Sequence, residues 1–133
     1  MSAVRPPFAS YLPVLIFDTN GAAAQQLAEQ LRYSGFQTEI ATSYPAAQTA
    51  IRATHYGSLV VMADLTMTAD LDCLAALRKK APRTWIIAIS STAPPQAERV
   101  IFRRGIDSLL VAPFSVQELT SRLLAFSHRS RPL

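Results

Sequence analysis

Five short segments of strand character, each followed by a stretch with helical spacing, constrain this chain more than any other feature. Val14-Leu15-Ile16-Phe17, Leu59-Val60-Val61-Met62, Trp85-Ile86-Ile87-Ala88-Ile89 and Ser108 to Val111 are mostly apolar runs, and Phe36 to Thr42 alternates. An unbroken apolar run of this length suits a strand covered on both faces, as in a parallel sheet.

The intervening stretches carry helix signals. Asn20 is placed to cap a helix over Gly21 to Ser34, with Ala24, Leu27, Ala28 and Leu31 on one face and Gly35 as the left-handed stop. Ser43 and Pro45 open a second helix, with Ala47, Ala50, Ile51 and Thr54 directed inward. Leu71, Leu74 and Leu77 mark a third, whose end at Arg78, Lys79 and Lys80 suits the negative pole of the helix dipole. Pro94-Pro95 starts a fourth running to Arg104, closed by Gly105, with Ile101 and Phe102 facing the core and Val100 and Arg103 outward. Ser115 with Glu118 forms a capping box for a last helix carrying Leu119, Leu123 and Phe126. Strand–helix alternation with right-handed crossovers gives an α/β doubly wound sheet with helices on both faces. Function in such sheets sits at the carboxyl ends of the strands. Asp18, Ala63, Asp64, Ser90 and Ala112 occupy those ends.

At 133 residues the chain is one domain by length, and 50% hydrophobic with 17% charged residues argues for a compact globular protein and against disorder. The expected organisation is an irregular extension over 1–12, a domain over 13–127 and a basic tail over 128–133. Cys73 is alone, the N-terminus is too polar for a signal peptide, and no apolar run approaches the length of a membrane span. A soluble cytoplasmic protein without a membrane partner is expected. The formal charge is +4. Apart from Arg78-Lys79-Lys80, Arg103-Arg104 and the tail's Arg129 and Arg131, its basic residues are dispersed and not interleaved with aromatics, so a solvated face is favoured over a nucleic-acid partner. His55 and His128 lack ligand or triad neighbours, and no phosphate loop or dinucleotide fingerprint is present.

Three motifs, in order and nearly spanning the chain, resemble the receiver domain of bacterial response regulators, a CheY-like, flavodoxin-like fold. They are Val14-Leu15-Ile16-Phe17-Asp18-Thr19-Asn20, Ile86-Ile87-Ala88-Ile89-Ser90, and Gly105 through Ala112-Pro113-Phe114. The resemblance implies a five-stranded sheet in the order 2-1-3-4-5, a cis Ala112–Pro113 bond, and membership of a two-component phosphorelay.

It also implies a pocket in which an acceptor Asp, an acid pair holding Mg²⁺, a Lys and a hydroxyl cooperate in phosphoryl transfer. Asp18 and Ser90 match that pattern. Thr19 replaces the second acid, and Ala112 stands in place of the Lys before Pro113. An ordinary third-strand register puts Ala63 at the acceptor position, whereas a bulge there puts Asp64 in it. The expectation is a degenerate pseudo-receiver, not an enzyme, with no metal and no cofactor. It would act by phosphorylation-independent contact with a protein partner: a kinase, an output protein or a second copy. The resemblance directs that contact to the fourth helix, fifth strand and fifth helix, with Val100, Arg103, Leu109 and Arg122 as candidates and a homodimer as one form. The alternatives are a genuine receiver phosphorylated on Asp64 by a histidine kinase with Mg²⁺, and a basic nucleic-acid-binding domain.

Overall fold

A computed structural model describes residues 12–129 and 131–132. The expected extension lies outside the described residues except for Leu12. The elements run β1 (Val14–Phe17), α1 (Gly21–Tyr33), β2 (Thr38–Ala41), α2 (Tyr44–Ala53), β3 (Ser58–Met62), α3 (Thr68–Lys80), β4 (Trp85–Ser90), α4 (Ala97–Arg103), β5 (Ser108–Val111) and α5 (Val116–Ser127). The strands form one parallel sheet in the order β2-β1-β3-β4-β5.

Alternation along each strand divides the core in two. Leu15, Phe17, Leu59, Val61, Ile86 and Ala88 pack under Ala47 of α2, Leu74 and Leu77 of α3, and Ala97 and Ile101 of α4. Val14, Ile16, Val60, Ile87, Ile89 and Leu110 face the other way, against α1 and α5. Removing a buried Leu such as Leu74 costs about 2–5 kcal/mol by lost transfer energy and a cavity.

The cap residues act as their chemistry dictates. The Asn20, Ser43 and Ser115 side chains accept hydrogen bonds from the N–H groups of Ala23, Ala46 and Glu118. Gly35 and Gly105 hold φ of 101° and 82°, which an L side chain resists. Glu118 is paired with Arg122, so the Ser115 capping contact is one-sided among the hydrogen bonds found.

Four expectations are corrected. The second strand is shorter than Phe36 to Thr42. Thr54, expected on the inner face of the second helix, is its C-cap. The fourth helix begins at Ala97, after a left-handed Gln96, so Pro94-Pro95 belongs to the preceding loop. Phe102 is 53% exposed, while Ile101 is fully buried. Neighbouring helical residues point about 100° apart, and a seven-residue helix lying on the sheet edge can bury only one of the two.

Candidate functional site

The β1, β3, β4 and β5 ends come together at the carboxyl edge of the sheet. Phe17 aligns with Val61, Met62 with Ile89, and Ser90 with Val111, which makes Asp18, Ala63, Ser90 and Ala112 residents of one edge on adjacent strands.

Asp18 is 9% exposed, and its carboxylate accepts the Asn20 N–H at 2.9 Å. Thr19 beside it is exposed. Ala63 is buried in the same core layer as Leu59 and Val61, and its N–H donates to the Ile89 carbonyl at 2.9 Å. Asp64 is exposed and folded back on its own loop. Its carboxylate accepts the Thr66 N–H at 2.9 Å and the Thr66 hydroxyl at 2.6 Å, while its own N–H donates to Asp70 at 2.7 Å. The Thr66 hydroxyl, then its amide, hold the Asp64 carboxyl below the usual range. The Ser90 hydroxyl is buried and donates to the Thr92 carbonyl at 2.6 Å. The Ala112 N–H donates to Ser90, and the Ala112–Pro113 bond is cis.

These groups can hold a short anionic loop in place, but they do not match the magnesium site that the fold implies. That hard ion takes anionic oxygens converging on one point. Here Asp18 caps its own turn and Asp64 is bonded to Thr66. No group of three or more His, Cys, Asp or Glu poised to hold a metal exists among the described residues.

On the face formed by α4, β5 and α5, Arg103 is exposed and Val100 half-buried, not open as expected. Leu109 is partly buried and packs on the core beneath α4. Arg122 is not a free surface cation: it donates to the Ser108 hydroxyl, to the Leu109 carbonyl at 2.7 Å, and to Glu118 at 3.4 Å. Phe102 is the large apolar side chain that this face exposes.

The opposite edge holds a cluster that sequence patterning missed. Arg78, at the end of α3, donates to the Gly105 and Thr84 carbonyls and pairs with Asp107 at 3.2 Å. Arg131 reaches the same Asp107 at 3.0 Å, and Asp107 also accepts the Ile86 N–H at 2.9 Å. Burial first, then the Arg131 charge, pulls the Arg78 guanidinium below its usual range, against the opposing Asp107. Trp85 stacks on Phe126 with centroids 4.4 Å apart, and Arg129 lies over the Trp85 ring at 5.1 Å. The positions expected to form a basic tail are therefore bound to the sheet at Arg129 and Arg131. Arg78 and Asp107 lie 29 residues apart in sequence, too far for any local pattern to pair them.

The fold and these strand ends are similar to those of response regulator receiver domains. The receiver domain of the Francisella response regulator 1452 superposes with a TM-score of 0.75 at 26% identity, covering 89% of this chain and 98% of that one. A CheY-like receiver domain protein from Methanospirillum hungatei gives 0.77 at 18% identity, covering 87% and 93%. Among curated proteins, the photosynthetic apparatus regulatory protein RegA of Rhodobacter capsulatus is 25% identical over 112 residues, which is 84% of this chain and 61% of RegA. No protein-family model matches the sequence. No helix among the described residues is long and apolar enough to cross a membrane.

Proposed function

We propose that this domain is a pseudo-receiver, which signals by protein contact without phosphoryl chemistry, metal or cofactor. The observation that carries the reading is the set of side chains at the sheet's carboxyl edge. A buried Ala63, an exposed Thr19 and Ala112, and an Asp64 bonded to Thr66 stand where phosphoryl transfer needs an acceptor, a second acid and a cation. Loss of one preorganised charge stabiliser costs ~10²–10³ in rate, and here several are replaced together. Without a chemical trigger, such a domain acts through its resting surface or through a partner that selects one of its conformations. The α4–β5–α5 face is the proposed contact, for a kinase, an output protein or a second copy in the cytoplasm. Phe102 and Arg103 form its exposed part, since large aromatics and Arg are enriched at interfaces.

Phosphorylation on Asp64 is the second reading, favoured by that carboxylate's exposure and readily ionised state. Nucleic-acid binding has less support, because Arg78 and Arg131 are engaged by Asp107. Incubation with acetyl phosphate and Mg²⁺, followed by intact mass, is expected to leave the mass unchanged. Beryllofluoride is expected to leave the amide spectrum unchanged. A gain of one phosphoryl group that disappears in Asp64→Asn would overturn the pseudo-receiver reading.

A further inference from the structure

At the amino end of the sheet, remote from the receiver pocket, lies a cleft of about 630 Å³. That volume is in the range of sites for small organic ligands, roughly 300–1,000 Å³. Val14, Phe36, Leu123 and Phe126 form an apolar floor in a lining that is about half polar. Its rim is cationic: Arg83 and Arg129 flank the opening, with His55 and His128 beside them. No Asp or Glu is among the described residues that line it. The neighbouring carboxylate, Asp107, is occupied by Arg78 and Arg131. Arg83 and Arg129 enter none of the ion pairs found among the described residues. Arg129 rests on an aromatic face, which orients its guanidinium without neutralising it.

We propose that this cleft is a binding site for a small amphipathic anion, a molecule with a carboxylate or similar head and an apolar body. The head meets the Arg83 and Arg129 guanidinium groups, and the body covers the floor. Charge complementarity argues for such a ligand over the chain's own N-terminal residues 1–11. These contain no Asp or Glu and carry Arg5, so they bring no counter-charge to the rim. A nucleic-acid duplex fits poorly, because a cleft with an apolar floor matches a hydrocarbon body and not a chain of phosphates.

Trp85 is the chain's single tryptophan and lines the cleft, so its indole N–H resonance reports on occupancy without interference. Octanoate serves as the probe, with inorganic phosphate and octanol as head-only and body-only controls. Octanoate is expected to shift the Trp85 indole signal saturably, and each control to bind more weakly. The double variant Arg83→Glu, Arg129→Glu, at two exposed positions, is expected to retain the wild-type amide spectrum elsewhere and to bind octanoate about tenfold or more weakly. The proposal is overturned if octanoate leaves Trp85 unmoved, if the double variant binds as the wild type does, or if phosphate alone matches octanoate. It is equally overturned if octanoate binds only after residues 1–11 are removed, since the chain's own terminus would then be the occupant.

Discussion

The two ends of the sheet handle charge in opposite ways. At the carboxyl edge, Asp18 and Asp64 each satisfy a neighbouring backbone N–H, and each stands apart from any cation in the ion pairs found among the described residues. At the amino edge, Asp107 joins two arginines that are only 11% and 18% exposed, and the joint ties together α3, β4, the start of β5 and the C-terminal segment. The carboxyl edge settles its acids on local backbone donors. The amino edge instead buries its acid between two cations. The contrast predicts that the Arg78–Asp107–Arg131 joint tolerates substitution less than the carboxyl-edge acids do.

Four measurements test that contrast, beginning with the largest effect. Asp107→Ala strands the Arg78 guanidinium, already largely desolvated, without its counter-charge, and urea unfolding should show a loss of about 3–5 kcal/mol. A loss under 1 kcal/mol would mean that Arg78 moves out to water and that the amino edge is no more constrained than the carboxyl edge.

Gly105→Ala comes next. A Cβ there would stand 2.6 Å from the Arg78 Cγ and Cδ, at a φ of 82°. The left-handed conformation alone costs roughly 1–2 kcal/mol, so a loss at or above that range is expected in thermal or urea melts. A neutral outcome would show that Arg78 has room to shift.

Tyr56→Phe should have a smaller effect, about 1 kcal/mol, from loss of the 2.6 Å hydrogen bond to Glu39. Burial and the Glu39 contact push the Tyr56 hydroxyl up to about 12 from its ordinary 10.0. The folded state therefore favours the protonated phenol more than the unfolded chain does. That stabilisation is complete below pH 10 and is lost as pH rises from 10 to about 12. The wild type should lose stability across that window, and Tyr56→Phe should lose less. Parallel curves would detach Tyr56 from alkaline unfolding.

The smallest effect belongs to the carboxyl edge. Asp64→Asn is expected to leave the thermal midpoint within experimental error, since the exposed side chain braces only its own loop. A marked drop would mean that this loop supports the sheet, and the contrast between the two ends would fail.

The order of the sheet was legible only through the resemblance to receiver domains, whereas four strands were legible as compact, mostly apolar runs and the second as an alternating one. The caps at Asn20, Ser43 and Ser115 were legible for a similar reason: side chain and partner N–H lie within three residues. Phe102 was misread because apolar character was taken as burial, while the short α4 has room on its inner side for Ala97 and Ile101 only. The Arg78–Asp107–Arg131 joint is faint in the sequence, because Asp107 stands 29 residues from one arginine and 24 from the other, and both arginines sit in stretches that read as solvated basic runs. The clue available was a small residue, Gly105, beside an isolated acid at the mouth of a strand. It became meaningful only once α3 had been laid across it.

Gln96 is the one non-glycine residue with positive φ among the described residues, at 62°, and it stands at the threshold of α4. Holding a glutamine there costs about 1 kcal/mol or more, and the helix it introduces is under two turns long, too short to sustain itself by its own hydrogen bonds. The surface carrying Phe102 and Arg103 thus rests on a wound spring. Ala97 and Ile101, buried in the core, are what keeps that spring closed.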